Sequence, residues 1–405
     1  MTPTNFVPYI ERYEHELLRN VIPFWEAHAI DREYGGFFDS LDRDGSVWDS
    51  DKWMWMQWRK VYMFATLFQS PYGEERYLDH AKQGFEFLTR HGKDRDGNYY
   101  FGLNRKGEPI VAPYNIYSEA FAVMGAAALY KATGDALYRA EANSAMANYL
   151  RRMSNPKGRW EKSMPARPAR LSHGVYMILA NLGTVIKDCL QTTEHEEKVS
   201  DAVRMVVNHF WNPTRRVLFE NINPDLSVDL DSGDGRHINP GHGLESCWFI
   251  LQYAERNQRP ELIPQVATMI KGLLDFGWDK EFGGIFYFLD VLGKPKLELE
   301  WDMKLWWVHN EALVATLYAY RLTRDPAFLE WFKRIDSWSW EHFPDPEYGE
   351  WFGYLNRRGE ATHRLKGSKW KCFFHLPRCL MTCIEQMKLC TDPIPGDSSK
   401  ANRCW

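Results

Sequence analysis

No run of this chain is apolar for long enough to cross a membrane, and Glu11, Arg12, Glu14, His15 and Glu16 interrupt the apolar pattern of the first 25 residues. The sequence therefore shows neither a spanning segment nor the apolar core of a secretory leader. Its seven cysteines are odd in number and form no CxxC pair, which argues against a disulfide framework or a zinc ribbon and suits a reduced, cytoplasmic chain. No GxGxxG follows a strand pattern, and neither GxxxxGK[ST] nor HExxH occurs, so dinucleotide, P-loop and zinc-peptidase chemistry find no support. Nothing in the histidine spacing asks for a metal. There is no basic run, and the formal net charge is -4, against a nucleic-acid partner. No linker rich in proline, glycine or serine divides the chain. We read one domain over 1–391 and a frayed tail over 392–405.

Aromatic residues are what the chain has in excess. With 18 Trp, 20 Tyr and 23 Phe they reach 15%. They serve core packing first, and they also suit carbohydrate clefts, where a flat ring covers the C–H face of a sugar.

One pattern recurs six times at intervals of about 60 residues: an acidic or Asn residue, a turn, then aromatic or apolar residues. The copies begin at Glu33, Asp96, Asn155, Asn212, Glu281 and Asp345. About 60 residues is the length of two helices with their turns. Helical periodicity fills the gaps, near 6–28, 53–69, 74–92, 114–133, 135–153, 171–190, 193–211, 242–257, 260–277, 304–323, 326–342 and 370–391. The segment 193–211 carries one apolar stripe and a charged opposite face, whereas 304–323 is apolar on most sides and must be buried on both. Alternation of the two kinds predicts an all-α (α/α)6 barrel, six inner helices within six outer ones, with short β-hairpin turns at one end. A solenoid is the alternative.

In such a barrel the residues just after each turn share one mouth. In order they are Arg59; Tyr114 and Asn115; His173; His242; His309 and Glu311; His375 and Arg378. A lone histidine usually caps a helix or bonds a carbonyl. His242 and His375, at one mouth beside glycine and proline turns, point instead to proton transfer, because imidazole titrates near neutrality. Glu311 interrupts a buried helix and needs a partner, either an Arg or Lys or a histidine that it orients. Arg59 and Arg378 are placed to form salt bridges or to stabilise oxyanion charge. Trp306 and Trp307 are core residues, of which one faces the cavity.

At this point the chain resembles a known family. The stretches Arg236-His237-Ile238-Asn239-Pro240-Gly241-His242-Gly243-Leu244-Glu245 and Leu299-Glu300-Trp301-Asp302-Met303-Lys304-Leu305-Trp306-Trp307-Val308-His309 look like the N-acylglucosamine 2-epimerases. So do Glu350-Trp351-Phe352-Gly353-Tyr354 and Lys369-Trp370-Lys371 through His375-Leu376-Pro377-Arg378. The likeness runs from about Phe24 to Met387. It implies an (α/α)6 barrel, a cytoplasmic homodimer, and interconversion of N-acetylglucosamine and N-acetylmannosamine through an enolate with no cofactor required. Adenine nucleotides, ATP among them, often activate the family. The resemblance implies Arg59, His242, His375, Glu311 and Arg378 as catalytic residues. Tyr114, Asn115, Glu245, Trp306, Trp307 and His173 join them as expected sugar-binding residues. Two departures stand out. Cys372-Phe373-Phe374 shifts a cysteine by one place from the family's usual Gly-Cys-Phe, which puts any thiol role in doubt. His173 adds a third histidine, as in related sugar isomerases and disaccharide epimerases.

Those relatives define the main alternative, an aldose–ketose isomerase or cellobiose-type 2-epimerase. An (α/α)6 glycoside hydrolase needs two carboxylates flanking the scissile bond, and Asp302 and Glu311 face different ways on one helix. A non-catalytic binding protein would have no use for the histidines at the mouth.

Overall fold

The computed structural model describes residues 5–162, 164 and 169–391; the expected tail 392–405 lies outside the described residues. Helix α1 (Val7–His15) runs through a π-helical segment at Glu16–Val21 into α2 (Ile22–His28). Eleven more follow: α3 (Met54–Phe68), α4 (Glu75–His91), α5 (Tyr117–Thr133), α6 (Ala136–Arg152), α7 (His173–Leu190), α8 (Glu196–Met205), α9 (Pro240–Arg256), α10 (Leu262–Gly277), α11 (Trp306–Thr323), α12 (Pro326–His342) and α13 (His375–Thr391). Each falls on one of the twelve segments with helical periodicity, the first two sharing 6–28.

The odd-numbered helices from α3 to α13 form the inner ring, each packed on the next. Closure between α3 and the entry to α13 is aromatic: the rings of Phe64 and Phe373 lie 4.9 Å apart. The even-numbered helices α4 to α12 each back the preceding inner helix, and α1 covers α13. The two ends of the chain thus complete the sixth pair. The difference between layers follows from composition. In α5 every residue from Ser118 to Leu129 is buried, whereas α4 buries only a stripe that includes Tyr77, Leu78, Ala81, Phe85 and Leu88.

The repeated turns lie at the N-terminal end of the inner helices. Five of the six close with the same antiparallel bridge: Ile30 with Phe37, Lys93 with Tyr99, Trp211 with Leu218, Trp278 with Ile285, and Pro344 with Trp351. The copy at 155–160 forms a 3₁₀ turn instead. The residue that organises each bridged copy directly follows its first bridge partner: Asp31, Asp94, Asn212, Asp279 and Asp345 accept backbone N–H groups two or three residues on. In the first, second and fifth copies this lies two residues before the acidic position read from sequence.

Three of these aspartates also hold buried charge. Asp31 meets Lys52 and Arg105, both at about 3 Å; Asp279 meets Lys304 (3.0 Å) and Arg357 (2.8 Å); Asp345 meets Lys366 (2.9 Å) and Arg43 (2.8 Å). The arginines come from a second recurring loop: Asp42-Arg43-Asp44-Gly45, Asn104-Arg105-Lys106-Gly107 and Asn356-Arg357-Arg358-Gly359. Its glycines have φ of +85°, +94° and +91°, and a Cβ would collide with His28, His91 and His342 respectively.

The strands are only partly hairpins. Ser40–Leu41 pairs with Val47–Asp49, Gly102–Leu103 with Pro109–Val111, and Trp211–Asn212 with Val217–Leu218. The others join different units: Lys52–Trp53 with Gly102–Leu103, Leu171–Ser172 with Asn221–Ile222, His237–Ile238 with Leu289–Asp290, and Lys304–Leu305 with Tyr354–Leu355. The short entry strand before an inner helix finds its hydrogen-bond partners on the next unit, which stitches the ring at this end. No described helix is long and apolar enough to cross a membrane.

Candidate active site

All six inner helices, or the residues entering them, wall one cavity of about 670 Å³ at the stitched end. Arg59 comes from α3, Tyr117 and Phe121 from α5, Met177 and Asn181 from α7, and His242, Glu245 and Phe249 from α9; α11 contributes Trp306 and Trp307, and α13 His375 and Arg378. Both tryptophans line it, where one was expected.

His375 begins α13. Its Nδ1 lies 2.7 Å from Glu311 Oε1. A carboxylate only accepts, so Nδ1 carries the hydrogen and Nε2 is left for chemistry. Glu311 does not itself line the cavity and serves other groups too: Trp248 Nε1 donates to it at 2.7 Å and Arg378 Nη2 at 2.7 Å. Burial, with Arg59 and Arg378 close by, holds the His375 imidazole well below the usual histidine range.

His242 enters on α9, whose start is set by Asn239: its side chain accepts the His242 backbone N–H at 3.2 Å, ahead of Pro240 in the first turn. Its Nδ1 lies 3.0 Å from Glu220 Oε2, so here too Nε2 is left over. Glu220 also receives His173 Nδ1 at 3.4 Å, and Ser246 Oγ lies 2.8 Å from His173 Nε2. His173 is fully buried behind the wall and absent from the lining. Both its nitrogens are engaged, and burial pulls its pKa down. Burial disfavours a charge on His242 as well, but Glu220 outweighs it and raises the pKa.

The arginines differ. Arg378 donates to Glu245 at 2.6 Å and to Glu311 at 2.7 Å. The nearest donor atoms of Glu245, Glu311 and His375 would suit a divalent cation, yet the Arg378 guanidinium already sits among them, 3.4 Å from His375 Nδ1. Arg59 has no carboxylate partner among the described residues. It lies over the rings of Phe121 (4.1 Å), Phe374 (4.7 Å) and Trp55 (4.9 Å), its Nε is buried without a hydrogen bond, and burial pulls it down to about 10.

Besides His173 and Glu311, three more residues expected at the mouth do not line the cavity. Helix α5 starts at Tyr117, because Asn115 Oδ1 accepts the Tyr117 N–H at 3.1 Å in a turn, and Tyr114 packs against Phe101 at 4.9 Å. Tyr117, not Tyr114 or Asn115, faces the cavity. His309 accepts the Ile285 N–H through Nε2 and donates to the Leu305 carbonyl through Nδ1. It is the clamp that Gln57 and Glu119 provide for Phe37 and Tyr99 in other units, and burial pulls it down to about 3. Cys372 is buried, which pushes its thiol up and away from thiolate chemistry.

Glu220 escaped sequence reading. A signal existed: it stands two residues after the second bridge partner of the fourth copy, where the first copy has Asp39. That aspartate accepts from Gln57 and ion-pairs with Lys60. In the fifth copy the same place holds Tyr287, which lines the cavity.

Residues 36–379 match the family described as N-acylglucosamine 2-epimerase (GlcNAc 2-epimerase). The chain belongs to that family. It is 38% identical over 403 residues to the N-acylglucosamine 2-epimerase of Mus musculus, covering 96% of this chain and 95% of the relative. To that of Bos taurus it is 39% identical over 391 residues, covering 93% and 90%. Among solved structures, the cellobiose 2-epimerase from Bacillus thermoamylovorans B4167 superimposes with a TM-score of 0.82 at 21% identity, covering 94% of this chain and 99% of that one. That likeness is one of fold. The chain is an enzyme, a carbohydrate epimerase.

Proposed function

We propose that this cavity interconverts N-acetylglucosamine and N-acetylmannosamine by moving the proton on C2. The observation that carries the reading is the pair of histidines, His242 and His375, in one cavity, each with Nδ1 held by a glutamate and Nε2 free. Identity of 38–39% to N-acylglucosamine 2-epimerases over nearly the whole chain supports this substrate pair.

The proton on C2 of the open-chain sugar is acidic because C1 is a carbonyl. One imidazole removes it from one face, the electron pair moves towards O1, and the other imidazole returns a proton to the opposite face. General acid–base catalysis of this kind contributes about 10²–10⁴-fold. Arg59 suits the developing charge on O1, because no described carboxylate bonds it directly, whereas Arg378 is committed to Glu245 and Glu311. Glu245, Trp306 and Trp307 complete the sugar surface, with His173 acting only through Glu220. The chemistry calls for no cofactor, since the substrate's own carbonyl stabilises the carbanion. A cytoplasmic homodimer with adenine nucleotide as an activator completes the proposal.

The cavity also has room for more than one sugar ring, which favours a disaccharide 2-epimerase as the second reading. Incubation with N-acetylglucosamine, mannose, glucose or cellobiose in deuterated water, followed by NMR, separates the readings. The expected result is N-acetylmannosamine carrying deuterium at C2. Faster turnover of cellobiose would favour the second reading, and deuterium at C1 of a ketose would indicate an isomerase.

A further inference from the structure

The two histidine–glutamate pairs are alike in geometry and unlike in charge. Around His242 stand Glu220 from the preceding loop, Glu245 on its own helix, His173 from α7, Arg59 from α3 and His237 from the entry strand. Among the described residues Glu220 bonds no cationic group other than the imidazoles of His173 and His242, and they hold it well below the usual carboxylate range despite its burial. Around His375 stand Glu311 from α11, Glu245 from α9, Arg378 on its own helix, Arg59 from α3 and His242 itself. There the negative charge of Glu311 is already shared with Arg378 and the Trp248 N–H, and Arg59 adds a further positive charge that no described carboxylate bonds directly.

Resting on the epimerase reading, we infer that Glu220 is the positioning residue that keeps a proton on His242 in the free enzyme, so that every turnover begun by the neutral His375 ends with the two histidines in the reversed protonation state. In that turnover the C2–H bond breaks, its proton passes to His375 Nε2, and the electron pair moves into the C1–C2 bond as O1 gains charge. The pair then returns to C2 and takes the proton of His242 Nε2. Product leaves behind His375 as imidazolium and His242 neutral. Before the same epimer can react again, His375 must give a proton to water and His242 must take one from it. The opposite epimer meets the minor form of the free enzyme. His173, itself anchored by Ser246 through Nε2, holds Glu220 from behind through Nδ1, so the carboxylate that sets this bias is not free to turn away.

Ring ¹⁵N NMR of histidine-labelled enzyme without sugar reads the first half directly, with His242→Gln and His375→Gln assigning the signals. His242 should be an imidazolium at pH 7 and His375 neutral; His375 holding its proton to higher pH than His242 would overturn the proposal. This measurement needs no substrate, so it stands even if no deuterium enters C2 and the epimerase reading falls. Glu220→Gln keeps the hydrogen-bond shape and removes the charge. The alkaline limb of kcat/KM should move to lower pH by about one unit or more. An equal loss at every pH, with the limb unmoved, would mean that Glu220 is merely structural. For the reset, a labelled mixture of both epimers at equilibrium is challenged with a large excess of one unlabelled epimer. The label should transiently overshoot its equilibrium ratio; no overshoot at saturating sugar would overturn the reset step.

Discussion

Among the places where the molecule buries charge, two treat it in opposite ways. In the turns at Asp31, Asp279 and Asp345 each buried carboxylate meets a lysine that is itself buried and an arginine at its rim. Every charge there is matched. In the cavity, Arg59 faces three aromatic rings and is bonded by no described carboxylate, and Glu311 is divided between His375, Arg378 and Trp248. Matched charge in a dry site locks geometry, because removing either partner leaves the other uncompensated. Unmatched charge is held at a cost to stability and is available to stabilise charge that appears only during reaction. The turns hold the ring rigid so that the cavity can keep its imbalance.

The contrast predicts that cavity substitutions remove activity and spare the fold, and that turn substitutions do the reverse. The largest effect on activity is expected for His375→Asn. Epimerisation should fall by about 10²–10⁴-fold, with an unchanged melting temperature, because Asn keeps polarity and cannot shuttle a proton. Deuterium exchange at C2 of each epimer, followed separately, should show one epimer still exchanging through His242.

Next comes Arg59→Met. The kcat should drop by about 10²–10³-fold, while thermal stability holds or rises, since a thioether among Trp55, Phe121 and Phe374 replaces a buried charge. A fall in melting temperature without loss of kcat would reverse the assignment and make Arg59 a structural residue.

Asp279→Asn tests the other side. Lys304 and Arg357 lose their counter-charge, and denaturant unfolding should show a loss of about 3–5 kcal/mol with kcat per folded molecule unchanged. The parent enzyme should show the same interaction in its pH dependence. Despite burial, Arg357 and Lys304 hold the Asp279 carboxyl well below its unfolded value. Its contribution is therefore complete above about pH 4, the unfolded pKa, and is lost as pH falls from there towards the folded value. Asp279→Asn should flatten that part of the acid-unfolding curve. The smallest effect is expected for Cys372→Ala, which removes a buried thiol held protonated and should leave kcat and its pH profile unchanged.

The architecture was legible because it is written in repetition. Helical periodicity placed every helix, and the recurrence at Glu33, Asp96, Asn212, Glu281 and Asp345 marked the turns that close the ring. Position after a turn was a coarser guide to the site. It led to Arg59, His242 and His375, and it also swept in His309, whose two nitrogens are spent on backbone groups, and Tyr114 and Asn115, which precede a helix that starts later than its apolar pattern suggested. Periodicity reports which face of a helix is buried. It does not report whether a buried polar side chain meets backbone or cavity.

By itself, then, the sequence determined the ring of helix pairs, the end of the ring where the turns gather, and the residue types available for proton transfer. Only the tertiary structure decided which carboxylate backs which histidine. Glu220 lies 22 residues from His242 and 47 from His173, and Glu311 lies 64 from His375 and 67 from Arg378. Those contacts depend on how six helices from distant parts of the chain settle around one axis. A carboxylate gains or loses its influence on an imidazole over an ångström or two in a dry cavity. The sequence sets no distance to that precision; the packing of the inner ring does.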